Sequence, residues 1–179
     1  MRPVDVLGLN VESGTGMSLV LLREQDAPHR VLPIFIGGRE AVAIALALSG
    51  QSPLRPLTHD LLAALIESLD ARVDHVEVTE VREGTFVAEL AVEGPHGGVS
   101  LDSRPSDAIA LALRLDAPLF ASDAVLAEAG ALVSTGTDER AIDEEVGRLR
   151  AFLDGVDASE FGKDERPREP PDEEDEEGS

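Results

Sequence analysis

The chain has 179 residues, 42% of them hydrophobic, no cysteine and a formal net charge of −21. That is enough to fill one core, and it excludes disulfides and thiolate chemistry. Residues 154–179 hold twelve acidic against three basic residues, net −9, leaving −12 on residues 1–153; such a field argues against a nucleic-acid binder that works through a broad basic patch.

No apolar run is long enough to span a bilayer and no export signal is visible, so the expected setting is the cytoplasm, with no membrane partner. Val4–Val11 and Met17–Leu22 have strand composition around a Gly-rich turn, and Arg30–Ile36 makes a third strand whose Pro33 suggests an edge or a bulge. A helix is predicted from about Arg39 to Ser49, because the small residue in its large-small alternation is always alanine. After a Pro-containing connector, Thr58 is the expected N-cap of a helix through Asp70. Its Leu61, Leu62, Leu65, Ile66 and Leu69 follow the spacing of a conventional amphipathic helix.

Val73 to Val81, Thr85–Val92 and Val99–Asp102 read as a second set of three strands. Ser103-Arg104-Pro105-Ser106-Asp107 then turns into a buried helix reaching about Leu115, with Ser103 or Ser106 as cap and Asp107 complementing the helix dipole. A short strand at Ala117–Phe120 and a brief helix capped by Ser122 or Asp123 follow. Ser134–Asp138 reads as a bridge to an amphipathic helix carrying Ile142, Val146, Leu149 and Leu153, a surface for the body or a second subunit. From about Gly162 the acid- and Pro-rich end is expected to be disordered.

The hexapeptide Ala-Ile-Ala-Leu-Ala-Leu occurs at Ala43–Leu48 and again at Ala108–Leu113, and the same register aligns Arg39 with Arg104. The expected fold is therefore α+β, two duplicated β-β-β-α halves forming a two-layer mixed or antiparallel sheet with packed helices, plus the C-terminal amphipathic helix. No glycine-rich phosphate loop, no zinc-type His or Cys spacing and little aromatic surface for base stacking are present.

Leu32-Pro33-Ile34-Phe35-Ile36-Gly37, Arg55-Pro56-Leu57-Thr58-His59-Asp60-Leu61, Glu83-Gly84-Thr85-Phe86 and Ser103-Arg104-Pro105-Ser106-Asp107-Ala108 occur in that order. Together they resemble the bifunctional nuclease family over roughly residues 3–132, and Ala151-Phe152-Leu153-Asp154 with the later Glu160-Phe161 resembles the C-terminal extension of its actinobacterial members. The resemblance implies a domain at 1–132, to which the patterning described above adds a linker and amphipathic helix at 133–161 and a disordered acidic tail at 162–179. It also implies RNase and DNase activity, as described for plant members. Members often carry an aromatic pair at the place of Phe86-Val87 and Trp at that of Phe35, departures that weaken base stacking at those points.

If the resemblance holds, phosphodiester hydrolysis of DNA or RNA needs an activated water, charge neutralisation on the phosphate and help for the leaving oxygen. Glu40, Asp102 and Asp107 are the candidate ligands of Mg²⁺ or Mn²⁺, with no organic cofactor expected. Arg39, Arg104, Ser103 and Ser106 are candidate phosphate contacts, and His59, Asp60, Asp107 and Glu40 candidate catalytic groups. Each has a plainer reading. The carboxylates can complement helix dipoles, Arg104 can pair with Asp102 or Asp107, His59 can be a surface or cap histidine, and the serines can be caps. The domain is expected to form a homo-oligomer, with a dimer favoured. Two other classes stay open: a non-catalytic oligomeric or regulatory module whose partner is a protein, and a binder of a small anion at the helix entrances.

Overall fold

Apolar residues at every second position of a strand favour pairing that leaves one side of a sheet dry. The computed structural model describes residues 1–11, 17–51 and 53–132. In it β1 (Arg2–Val11) and β2 (Ser18–Glu24) pair antiparallel, and β3 (Val31–Ile36) adds to β2 with Val20 opposite Ile34 and Leu22 opposite Leu32. Those four residues are buried, while Pro33 and Phe35 lie on the opposite face. Pro33 is tolerated because β3 ends the sheet.

A second meander follows two helices, α1 (Gly38–Leu48) and α2 (Thr58–Ser68). It consists of β4 (Arg72–Arg82), β5 (Thr85–Gly94) and β6 (Gly97–Ser103), and α3 (Pro105–Ala112) follows it. The short β7 (Leu119–Ala121) joins the two meanders, antiparallel to β1 and parallel to β4. The result is one mixed seven-stranded sheet of order β3-β2-β1-β7-β4-β5-β6. Ser122 caps α4 (Asp123–Ala129) as expected, its Oγ accepting from the Val125 N–H at 3.1 Å.

Val4, Leu119, Val76 and Leu90 form one buried row across four paired strands. All the described helices contribute to the core on that face. The order β-β-β-α thus occurs twice, as β1-β2-β3-α1 and β4-β5-β6-α3. Among the described residues no helix is long and apolar enough to cross a membrane. The expected helix over 142–153 and the acidic tail lie outside the described residues.

The repeated hexapeptide meets two environments. In α3 every residue from Ala108 to Ala112 is buried, because the helix lies between β4 and β5 on one side and α1 and α2 on the other. In α1 only Ala43, Ile44 and Ala45 are buried, and Leu48 is 44% exposed.

Three local expectations are corrected. The N-cap of α2 is Leu57 rather than Thr58, and the Asp60 carboxylate satisfies its N–H at 2.7 Å. Neither Ser103 nor Ser106 caps α3, because Pro105 fixes the first helical residue and makes Arg104 the N-cap. A conventional amphipathic α2 would turn its leucines inward, yet Ala63 and Ile66 are buried and Leu61, Leu65 and Leu69 are exposed. Successive helical residues are turned by 100°, which puts His59 and Asp60 on the side of Ala63 and Ile66. Polar contacts from both to α3 and its extension hold that side inward.

Sequence reading also missed Glu24, fully buried opposite Val4. Arg30 meets both its oxygens, Nε to Oε2 at 2.9 Å and Nη2 to Oε1 at 3.0 Å, and holds its carboxyl below the ordinary range despite burial.

Candidate functional site

Because α3 packs against both α1 and α2, the first turns of all three helices come within side-chain reach. Arg104, the N-cap of α3, sends Nε to Oδ2 of Asp107 at 2.7 Å and Nη2 to Oε1 of Glu40 in α1 at 3.0 Å. Glu40 curls back over Gly37, where a Cβ would collide with its carboxylate, so this glycine leaves room for the contact. The other Asp107 oxygen, Oδ1, lies 3.1 Å from Nε2 of His59 in α2. One unbroken polar chain thus runs Glu40–Arg104–Asp107–His59.

Its electrostatics fix the proton positions. Burial pushes the Asp107 carboxyl up, but hydrogen bonds from Arg104 and His59 outweigh it and hold the group below its usual range. An ionised carboxylate only accepts, so His59 donates to it from Nε2, and in the tautomer that carries its single proton there Nδ1 is the acceptor. The hydrogen bond to Asp107 in turn raises the Arg104 guanidinium. The side chains at the two ends of this polar chain, His59 and Glu40, are 13% and 19% exposed while Arg104 between them is 67% exposed, so it is covered at both ends and open at Arg104.

Beside it lies a contact the sequence did not disclose. Arg114, just beyond α3 and 10% exposed, reaches Oδ1 of Asp60 at 2.5 Å and the carbonyls of Ala110 and Ala43 at 2.7 and 3.1 Å. It thereby ties α1, α2 and α3 together. Burial acts to raise the Asp60 carboxyl, and the Arg114 and Leu57 hydrogen bonds overcome it and lower the group. The available signal was a lone arginine closing an apolar helix, seven residues after Asp107 and hence on the same face.

The other candidates lie apart. Asp102 is exposed on β6 opposite Glu89, one residue out of phase with Ser103, and strand alternation points it to the sheet face away from α3. Ser103 Oγ donates to the Ala88 carbonyl at 3.3 Å, and Ser106 is buried in the first turn of α3. Arg39 is exposed in the first turn of α1 and makes no ion pair among the described residues.

A centre made of Glu40, Asp102 and Asp107 is not assembled. No group of three or more His, Asp or Glu side chains able to hold a metal is gathered among the described residues. Glu40 and Asp107 instead share Arg104, so this donor set does not fit a three-carboxylate Mg²⁺ or Mn²⁺ site.

Compared with known proteins, residues 20–134 match the family described as the bifunctional nuclease domain. An uncharacterized protein of Mycobacterium tuberculosis is 41% identical over 165 residues, covering 90% of this chain and 98% of its own. Bifunctional nuclease 2 of Arabidopsis thaliana is 28% identical over 115 residues, 63% of this chain but 35% of the plant protein. Bifunctional nuclease 2 of Oryza sativa subsp. japonica is 26% identical over the same length, with the same shares covered.

Proposed function

The chain belongs to the bifunctional nuclease domain family, and from that premise we propose that it hydrolyses phosphodiester bonds of DNA or RNA where the entrances of α1, α2 and α3 meet. The observation that carries the reading is the chain Glu40–Arg104–Asp107–His59, which offers an oriented imidazole beside an accessible guanidinium.

Local charge supports it. Glu40, Asp60 and Asp107 stand against Arg39, Arg104 and Arg114, so this neighbourhood is balanced on a strongly acidic chain. A phosphate repelled elsewhere is not repelled here. In the proposed reaction Arg39 and the open edge of Arg104 take the non-bridging phosphate oxygens. His59 accepts at Nδ1 the proton of the attacking hydroxyl, from water or from an RNA 2′-OH, and Asp107 holds the ring and stabilises the imidazolium. The new O–P bond forms as the bond to the leaving oxygen breaks, and the proton returns from His59 to that oxygen. Mg²⁺ is often held by one or two carboxylates plus phosphate oxygens, so an ion arriving with substrate would need Arg104 to turn away from Glu40 and Asp107. No step here runs through such an ion.

The same reading takes the two β-β-β-α runs as duplicated halves whose entrances share one arginine. The test is cleavage of labelled single- and double-stranded DNA and RNA with Mg²⁺, with Mn²⁺ and with EDTA. His59→Ala is expected to lower the rate by about 10²–10⁴-fold, the range for a general acid–base group. Equal cleavage by an Arg104→Ala/Asp107→Ala double variant would refute the assignment.

A second reading, a non-catalytic oligomeric or regulatory module, draws on the fact that two carboxylates already neutralise Arg104. It expects no cleavage on any substrate and a loss of stability alone in the same variants.

A further inference from the structure

The outward side of α2 is uncharged. Leu61, Leu65 and Leu69 are 65%, 51% and 62% exposed, and Leu54, ahead of the helix, is fully exposed. Steps of four residues put the three helical leucines on one stripe ~12 Å long, at 1.5 Å per residue. Turning the helix by 100° per residue sets Leu57, Thr58, Leu62, Ala64 and Ser68 around that stripe and sends His59, Asp60 and Glu67 to the other side. For a solvent-facing helix in a chain with 28% charged residues, such a face is anomalous.

We infer that this face of α2 is the interface between two copies of the chain, packed antiparallel about a twofold axis at Leu65. Three observations choose this occupant. The stripe is self-complementary, since a twofold axis at Leu65 seats Leu61 of one copy on Leu69 of the other, as an isologous contact requires. The ends are charge-matched, because the exposed Arg55 precedes α2 and the exposed Asp70 follows it. Antiparallel packing brings each arginine toward the acidic end of its mate, whereas parallel packing would set like against like. Finally, the face carries no lysine or arginine with which to hold a nucleic acid or an anionic lipid surface. With a net charge of −21 on each copy, self-association is least opposed where both surfaces are neutral.

The inference is independent of the nuclease reading, and the lack of cysteine makes its test direct. In full-length protein, Leu65→Cys under mild oxidation is expected to give a disulfide-linked dimer on a non-reducing gel, because the two sulfurs meet on the axis. Glu89→Cys, on the far face of the sheet, is expected to give no disulfide-linked band on the same gel. Light scattering on wild-type protein at micromolar concentration is expected to give twice the chain mass. Leu61→Glu/Leu65→Glu is expected to give the single mass with an unchanged far-ultraviolet circular dichroism spectrum, since both positions are exposed and glutamate is a good helix former. Val146→Glu/Leu149→Glu is expected to leave the dimer intact. A monomeric wild type, a dimer that survives Leu61→Glu/Leu65→Glu, no excess crosslinking at position 65, or a dimer lost only through positions 146 and 149 would each overturn the inference.

Discussion

Replacing Arg114 by alanine removes three contacts at once: the ion pair to Asp60 and the hydrogen bonds to the carbonyls of Ala43 and Ala110. Breaking a fully buried pair costs about 3–5 kcal/mol, and a charge-assisted hydrogen bond is worth about 1.5–3 kcal/mol. Asp60 is 26% exposed, so water re-solvates part of what it loses, and the expected destabilisation is about 2–4 kcal/mol. For a domain of this size that corresponds to a fall in Tm of order 10 °C. The pH dependence has a definite sign. Asp60 is lowered in the fold, so its contribution is complete above the ordinary carboxylate value of about 4 and is lost as pH falls through the lower folded value. The gap in Tm between wild type and Arg114→Ala is therefore widest near neutrality and narrows at acid pH. Thermal unfolding followed by circular dichroism from pH 7 to pH 3 measures both. A Tm within about 2 °C of wild type at pH 7, or a gap that does not narrow in acid, would show that Arg114 does not tie the three helices together. Arg114→Lys should fall between the two, since one ammonium cannot match the planar fork that reaches all three acceptors.

Ile109→Ala, at a fully buried position in the most enclosed helix, should cost about 2–5 kcal/mol in urea unfolding; a loss below about 1 kcal/mol would mean that α3 is not the centre of the core. Glu24→Gln keeps the shape but sets an amide against Arg30, and should lower stability by about 2–3 kcal/mol at pH 7. Because Glu24 is also lowered in the fold, that difference should shrink as the pH drops below the ordinary carboxylate range; a difference constant down to pH 3 would contradict the pairing. Asp107→Asn should reduce phosphodiester cleavage mainly through kcat, since the amide can no longer stabilise an imidazolium at His59. A change confined to KM would assign Asp107 to binding instead.

Much of the architecture is legible in the residues. Alternating Val20, Leu22, Leu32 and Ile34 mark the dry face of the first meander, Pro33 marks the edge, and Ser122 marks the start of α4. The candidate site was legible as a set of helix entrances, with Glu40, His59, Arg104 and Asp107 brought together and Asp102 set apart. What local pattern does not hold is a partner distant along the chain. Arg114 lies 54 residues from Asp60, and nothing near either residue announces the other. The orientation of α2 is hidden for the same reason. Helical spacing says which residues share a side, but which side is inward depends on contacts made by His59 and Asp60 across to Asp107 and Arg114.

The two arginines aligned by the repeated hexapeptide show how position in the layer divides roles that sequence leaves equal. α3 lies between α1 and α2, so its entrance faces acidic groups from its own first turn and from α1, and Arg104 is drawn into the space between Asp107 and Glu40. α1 lies at the flank, and Arg39 at the matching position stays exposed with no ion pair among the described residues. On the proposed reading, a phosphate would find an unpaired guanidinium at Arg39 and would have to compete with two carboxylates for Arg104. That difference follows from ion pairing and not from exposure or from the hexapeptides, since both arginines are exposed and the hexapeptides behind them are identical. If the site acts on phosphodiesters, it assigns capture to the first half of the chain and the covered acid–base chemistry to the second half together with α2.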